Sequence, residues 1–169
     1  EKTNQLGTIE SLPRASLNEG QGLSEDQFQA AKILCESDTL GVIFEGRAGT
    51  GKTFTLQEIE KAHLAAGGKP FLALGPTGRA RDELKDNGFE DAVTVARYLV
   101  DEQMQEAGEG RVLLVDEAGL LSTRDLALIT KLARQRNNRI IFAGDVRQHS
   151  SVERGDALRN LIEAEACPM

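Results

Sequence analysis

Residues 46–53, GRAGTGKT, have the spacing of a loop that binds phosphate. An apolar run at 40–45 precedes them and a helical pattern begins at 54, which is the strand, loop and helix order that such a loop requires. Its glycines let successive N–H groups converge on phosphate oxygens, and the helix N-terminus adds free amides and a positive dipole end. We predict a nucleotide site formed by Gly46, Ala48, Gly49, Thr50, Gly51, Lys52, Thr53 and Phe54.

Four side chains have the chemistry needed to bind a nucleoside triphosphate together with Mg²⁺. Lys52 can reach the β and γ phosphates, and the Thr53 hydroxyl can ligate the metal. Asp116 and Glu117 directly follow the apolar run at 112–115. There an Asp helps to hold Mg²⁺, and a Glu orients or activates the water that attacks the γ-phosphate. An ordinary acidic loop is the alternative, but the strand before it and the phosphate loop upstream favour the metal and water roles.

The loops after two other predicted strands add polar groups. Gln148, in the segment that follows the apolar run at 139–143, could contact the γ-phosphate, the alternative being a solvated loop amide. Pro76, Thr77, Arg79 and Arg81 follow the apolar run at 71–74. A hydroxyl, a helix N-terminus and two arginines could grip a phosphodiester backbone. The alternative is a helix start with two solvated arginines.

Predicted strands and helices alternate along the chain. The strands at 40–45, 71–74, 112–115 and 139–143 are continuous apolar runs, which indicates a parallel sheet covered on both faces. Helices are expected from a capping box at 24–27 to about 37, from the phosphate loop to 66, and at 78–87. Others should begin at Thr94 and run through Met104, begin after Ser122, and cover 155–164. We predict a three-layer α/β fold of the P-loop NTPase type with a mostly parallel sheet, whose ligands lie at the carboxyl ends of the strands.

Length and composition favour one globular domain of 169 residues, with 1–22 as a linker or arm. The net charge of −7 predicts weak electrostatic attraction to nucleic acid. Cys35 and Cys167 have no metal-like spacing, and His63 is expected to be structural. We expect a cytoplasmic protein without membrane contact, because no apolar stretch has the length of a membrane span and no signal-peptide pattern is present.

Five segments in a fixed order resemble the RecD-like branch of superfamily 1 helicases, especially the helicase region of conjugative relaxases. The segments are LSEDQ (23–27), GRAGTGKT (46–53), GPTGRA (75–80), LLVDEAG (113–119) and GDVRQHSSVERGD (144–156). They cover nearly the whole chain from 23 to 160. The first and third are individually weak, and the last is the most specific.

This resemblance implies a RecA-like motor domain over 23–169, the first of two in its parent protein. It implies that Gln27 reads the adenine edge of ATP and that Pro76 and Thr77 contact single-stranded DNA. It also implies that Asp116 and Glu117 serve magnesium and water, and that Gln148 couples the γ-phosphate to the DNA groove. Translocation in the 5′ to 3′ direction would follow from the opening and closing of two such domains around ATP.

The chain departs from the resembled proteins in what it lacks. The second motor domain with its arginine fingers is missing, and so are the histidine cluster and tyrosine pair of a relaxase. We expect a fragment of a longer protein, the alternative being a partner half on another chain. Two other functions stay open: a P-loop module that binds ATP and regulates without translocating, and a small P-loop kinase, which the segment at 144–156 disfavours.

Overall fold

The computed structural model of the protein describes residues 22–36, 39–46, 49 and 51–144. Within these residues, the strands are β1 (Gly41–Glu45), β2 (Leu72–Gly75), β3 (Val93–Thr94), β4 (Val112–Val115) and β5 (Arg139–Gly144). The helices are α1 (Glu25–Glu36), α2 (Lys52–Ala65), α3 (Gly78–Asp86), α4 (Val95–Val100), α5 (Glu102–Ala107) and α6 (Thr123–Gln135), with a short 3-10 helix at Ala118–Leu120.

The five described strands form one sheet in which every neighbouring pair is parallel. Their order across the sheet is β1, β5, β4, β2, β3. β5 therefore separates β1, which leads into the phosphate loop, from β4, which leads into Asp116. Because all five strands point the same way, the loops at their carboxyl ends share one edge of the sheet.

Helices cover both faces of this sheet. Alternate side chains of each strand point to opposite faces, so each face buries its own apolar cluster. On one face α1, α2 and α3 pack through residues such as Leu34, Ile59 and Leu84. On the other face α4 and α6 pack through residues such as Tyr98 and Ile129. The predicted three-layer α/β fold is confirmed, and the sheet is parallel throughout its described part.

Helix ends follow local signals in the sequence. The Ser24 N–H donates to Gln27 Oε1 at 2.9 Å and the Gln27 N–H donates to Ser24 Oγ at 3.3 Å, which is the predicted capping box. The Thr94 and Ser122 hydroxyls accept from N–H groups three residues further on and cap α4 and α6. Gly67, with a φ of 87°, follows the end of α2, where a left-handed glycine commonly ends a helix. The predicted helix at 155–164 lies outside the described residues.

The helix predicted from Thr94 through Met104 is in fact two helices. α4 ends at Val100 and α5 begins at Glu102. Asp101 between them has an extended backbone, and its carboxylate accepts the Met104 N–H at 3.1 Å, so it caps α5. β3 was not among the predicted strands, because two residues are too few to show a periodicity.

His63 has a structural environment at the C-terminal end of α2. It is 8% exposed, and its ring lies 5.5 Å from that of Phe71. A side chain at Gly68 would collide with the imidazole, so the chain passes directly over it. Burial lowers the pKa of His63 below 6.5, while a hydrogen bond to the Lys69 backbone raises it and the charge of Arg139 lowers it further. The net result is a neutral imidazole at neutral pH.

This lowered pKa predicts a loss of stability in mild acid. Because the folded-state pKa of His63 lies below the ordinary value of 6.5, the unfolded chain takes up the proton first as the pH falls. The free energy of unfolding should therefore decline below that pH, with a share from His63 of at most about 1.4 kcal/mol per pH unit. Urea unfolding of wild type and His63→Gln between about pH 5 and pH 8 measures this share. Parallel curves for the two proteins would contradict the prediction.

Candidate functional site

The predicted phosphate loop joins the end of β1 to the start of α2. Gly49 and Gly51 have left-handed backbones, with φ values of 80° and 78°, which residues with side chains rarely adopt. The Lys52 ammonium donates a hydrogen bond to the carbonyl of Gly46 at the start of the loop. The Lys52 ammonium, which is predicted to bind the phosphates, therefore contacts the first residue of the loop.

The N-terminus of α2 is open to an anion. Gly51 is the N-cap residue and provides no side-chain acceptor for the first amides of this 14-residue helix. The backbone amides at a helix N-terminus, combined with the positive end of the helix dipole, form a phosphate site. Thr53 and Phe54, in the first turn, are both exposed, so the Thr53 hydroxyl is open to a metal ion. This environment fits the triphosphate of a nucleotide.

Gln27 of α1 packs against the same loop. Its Nε2 atom occupies the space that a side chain at Gly51 would need. Its Oε1 atom accepts the Ser24 N–H, so the capping box of α1 holds this side chain in place. A residue 24 positions away in sequence thus lies beside the phosphate loop, and its implied role as the adenine reader stays a prediction.

Asp116 lies partly buried at the end of β4. Its N–H donates to the carbonyl of Leu74 in β2 at 3.0 Å, which continues the sheet by one residue. Burial raises the pKa of its carboxyl group above 3.8, while a hydrogen bond from the Glu117 backbone and the charge of Lys52 lower it and the charge of Glu83 raises it. The positive charge of Lys52 in the phosphate loop therefore favours the ionised form of Asp116, the carboxylate predicted to hold Mg²⁺.

Glu117 has an unusual backbone conformation. Its φ of 47° and ψ of 39° are left-handed, and the 3-10 helix begins directly after it. This conformation costs a residue with a side chain about 1–2 kcal/mol, and it persists where the surrounding structure holds it, often at functional sites. No pattern in the sequence predicts this strained backbone. The strain supports the predicted role of Glu117.

Side chains that bind metals do not form a cluster of three or more in the described part of the chain. No group of three or more His, Cys, Asp or Glu residues there could hold a metal ion. Two protein ligands, Thr53 and Asp116, are enough for Mg²⁺, because this ion keeps several waters and is usually held by one or two protein oxygens together with substrate phosphates. The residues present fit a metal that arrives with a nucleotide.

The loop after β2 has features of both alternatives that the sequence left open. The Thr77 hydroxyl accepts the Ala80 N–H at 3.2 Å and caps α3, so it acts as a helix start. Arg79 lies 3.0 Å from Glu83 and Arg81 lies 2.7 Å from Asp82, so both arginines predicted to contact DNA are paired with carboxylates.

Both of these pairs are solvent-exposed, and such pairs are weak, about 0–1 kcal/mol, so a phosphate could displace the carboxylates. The DNA contacts of Pro76 and Thr77 stay predictions.

Gly75 lies at a position that only glycine can occupy, a requirement that was not predicted from the sequence. A Cβ atom there would lie 2.7 Å from the Arg81 nitrogen and 3.0 Å from the Ala80 carbonyl carbon. Only glycine therefore lets the first turn of α3 pack this closely on the end of β2. Its position directly before Pro76-Thr77 was the signal in the sequence.

Three predicted site residues lie outside the described residues. Ala48 and Thr50 belong to the phosphate loop, and Gln148 follows β5. Their roles stay predictions. The structure brings together the described members of the site, namely Gln27, Gly46, Gly49, Gly51, Lys52, Thr53, Phe54, Asp116 and Glu117, at the carboxyl edge of the sheet, with Pro76 and Thr77 at the end of β2.

Residues 22–168 match the family described as AAA domain. The chain belongs to that family. Its P-loop, parallel sheet and acidic turn are those of a P-loop NTPase, a class of nucleotide-binding enzymes. The match spans all the sequence segments from which the helicase resemblance was drawn.

The AAA domain is also similar to parts of larger proteins. It is 24% identical over 161 residues to the probable conjugal transfer protein TraA of Sinorhizobium fredii, covering 93% of this chain. It is 29% identical over 168 residues to the RecBCD enzyme subunit RecD of Mycobacterium tuberculosis, covering 82% of this chain. It is 26% identical over 145 residues to the conjugal transfer protein TraA of Agrobacterium fabrum, covering 83% of this chain. The expected resemblance to RecD-like and conjugative proteins is confirmed.

This AAA domain spans only a small part of those relatives, namely 14%, 29% and 13% of their lengths in the same order.

Among the described residues, no helix combines the length and apolar character needed to cross a membrane.

Proposed function

We propose that this domain is the first, ATP-binding motor domain of a DNA helicase, in a conjugative relaxase-helicase or a RecD-like enzyme. Residues 23–169 would form the motor domain and residues 1–22 a linker or arm. A second motor domain, elsewhere in the parent protein, would complete the ATP site and the track for single-stranded DNA. Translocation from 5′ to 3′ and a cytoplasmic location are part of the proposal.

The observation that carries the proposal is the meeting of the phosphate loop and the acidic turn across β5. The Gly46 N–H at the start of the loop donates to the Gly144 carbonyl at the end of β5 at 3.3 Å. On its other side β5 pairs with β4, which ends at Val115 and leads into Asp116. A cation, an open helix N-terminus and two carboxylates thus face one edge of the sheet, as transfer of a phosphoryl group to water requires.

Each predicted site residue has a distinct role in this proposal. The backbone of the loop and the first amides of α2 would hold the phosphates, with Lys52 on the β and γ groups. Thr53 and Asp116 would hold Mg²⁺, which neutralises charge on the β and γ oxygens. Glu117 would orient the attacking water and accept its proton, and Gln27 would select adenine. Gln148 would report the state of the γ-phosphate.

A regulatory module that binds ATP without translocating is the second candidate. It is favoured by the net charge of −7 and by the pairing of Arg79 and Arg81 with acids, since both weaken attraction to DNA. The two functions differ in one measurable property. ATP hydrolysis by the native protein should accelerate with single-stranded DNA if the domain is a motor, and an unchanged rate would favour the regulatory module.

The DNA contact itself is tested by removing Arg79 and Arg81 together. Each phosphate neutralised on a single strand adds about 0.7 to the dependence of log affinity on log salt concentration, so the double alanine variant should flatten this slope by about 1.4. Fluorescence anisotropy of a labelled oligonucleotide with the native protein measures the slope.

Lys131→Ala combined with Arg134→Ala is the matched control. Both residues are exposed on the last turns of α6, which returns the chain to the opposite edge of the sheet. This variant should keep the wild-type slope. Equal slopes for all three proteins would move the DNA site elsewhere.

A further inference from the structure

Gly144, the last residue of β5, contacts the phosphate loop with its backbone. It pairs with Glu45, the last residue of β1, and its carbonyl accepts the Gly46 N–H at 3.3 Å. That hydrogen bond extends the pairing of β1 and β5 by one residue into the loop. The position of Gly144 therefore determines where the phosphate loop leaves the sheet.

The other side of Gly144 lies against the acidic turn. A Cβ atom at this residue would stand 3.3 Å from the Ala118 nitrogen, 3.6 Å from the Gly119 nitrogen and 3.7 Å from the Glu117 carbonyl carbon. All three are backbone atoms, which cannot swing aside as the end of a flexible side chain can. The backbone of the turn that carries Glu117 thus lies close to the space that a side chain at Gly144 would occupy.

We propose that Gly144 is a positioning residue that sets the distance between the phosphate loop and the Glu117 turn. This inference rests on the proposed function, since Glu117 acts there on the water that attacks ATP. Gly144 adjoins both halves of the site. Its carbonyl accepts a hydrogen bond from the phosphate-binding half, and its lack of a side chain leaves room for the backbone of the water-orienting half. The left-handed backbone of Glu117 makes this support consequential, because a strained turn stays in place only while its neighbours hold it.

Alanine at 144 would separate the two halves slightly without unfolding the strand. Gly144 does not have a positive φ, so its backbone conformation is open to alanine. The contact at 3.3 Å would instead push the turn away by a few tenths of an ångström. Since a displacement of about 1 Å can cost about a hundredfold in rate, we expect kcat for ATP hydrolysis to fall about tenfold. The dissociation constant for ATP should change less than about twofold, because the loop and α2 keep their amides and Lys52.

Gly108→Ala is the matched control in the native protein. A Cβ there would lie 2.9 Å from Leu72 Cδ2, closer than the 3.3 Å contact at Gly144, but Gly108 precedes β4 at the opposite edge of the sheet. It should lower thermal stability and leave kcat unchanged at temperatures well below unfolding. An unchanged kcat in Gly144→Ala, or equal losses of kcat in the two variants, would overturn the inference. So would a loss of ATP binding as large as the loss of kcat.

A second measurement separates this inference from the proposed function. If the wild-type native protein does not hydrolyse ATP, the proposed function fails whatever the variants do. Amide NMR spectra of this chain and of its Gly144→Ala variant then still test the geometry. The amides of Ala118, Gly119 and Gly46 should shift more than those of β2 and α3, and unchanged spectra at these three positions would overturn the contact.

Discussion

The isolated 169-residue chain is expected to bind Mg²⁺ and ATP but to hydrolyse ATP about 10³- to 10⁵-fold more slowly than the native protein that contains it. Transfer of the γ-phosphoryl group requires positive charge on that group beyond what Lys52 and Mg²⁺ supply, and an arginine finger commonly provides it. Arg79 and Arg81 are held by acids on α3 in the described structure. The resemblance to two-domain motors implies that these arginines come from the second domain.

Phosphate release from the two proteins, with and without single-stranded DNA, measures this difference. Glu117→Gln in the native protein is the control for the chemistry, because it keeps the shape of the side chain and removes the carboxylate that is proposed to accept the proton from water. It should bind ATP and fail to hydrolyse it. Fast, DNA-independent hydrolysis by the 169-residue chain would show a site complete in itself and would remove the two-domain motor from consideration.

Lys52→Ala should weaken ATP binding about 10- to 100-fold. Hydrogen bonds to charged groups contribute about 1.5–3 kcal/mol, and each 1.4 kcal/mol is a factor of about ten in affinity. The loop amides and the α2 dipole stay in the variant, so binding should weaken without vanishing. Isothermal titration calorimetry of this chain with ATP and Mg²⁺ gives both affinities.

Lys61→Ala is the matched control for Lys52→Ala. Lys61 lies on the same helix, pairs with Glu58 at 2.7 Å and has a side chain that is 68% exposed, far along α2 from the loop. It removes the same charge and should leave the affinity for ATP unchanged. Equal affinities of wild type and Lys52→Ala would refute the assignment of the phosphate loop.

Elements with strong local signals were predicted well. Ser24, Thr77 and Ser122 each cap a helix through a residue three positions further on, and a contact of that range is visible in the sequence. The helix break at Asp101 was missed because the apolar spacing continues across it, and the competing cap depends on one carboxylate. β3 was missed because it exists only through its pairing with β2.

The alternation of strands and helices and the presence of a phosphate loop could be predicted from the sequence, because apolar runs, glycines and the Lys-Thr pair are local patterns. Tertiary structure alone decided that β5 lies between β1 and β4, since strand order follows from packing between distant segments. That order places Gly144 against both Gly46 and the turn at Glu117. The same long-range packing sets Gln27 beside Gly51 and gives Glu117 its left-handed backbone, because steric contacts between segments far apart in sequence leave no periodic signal.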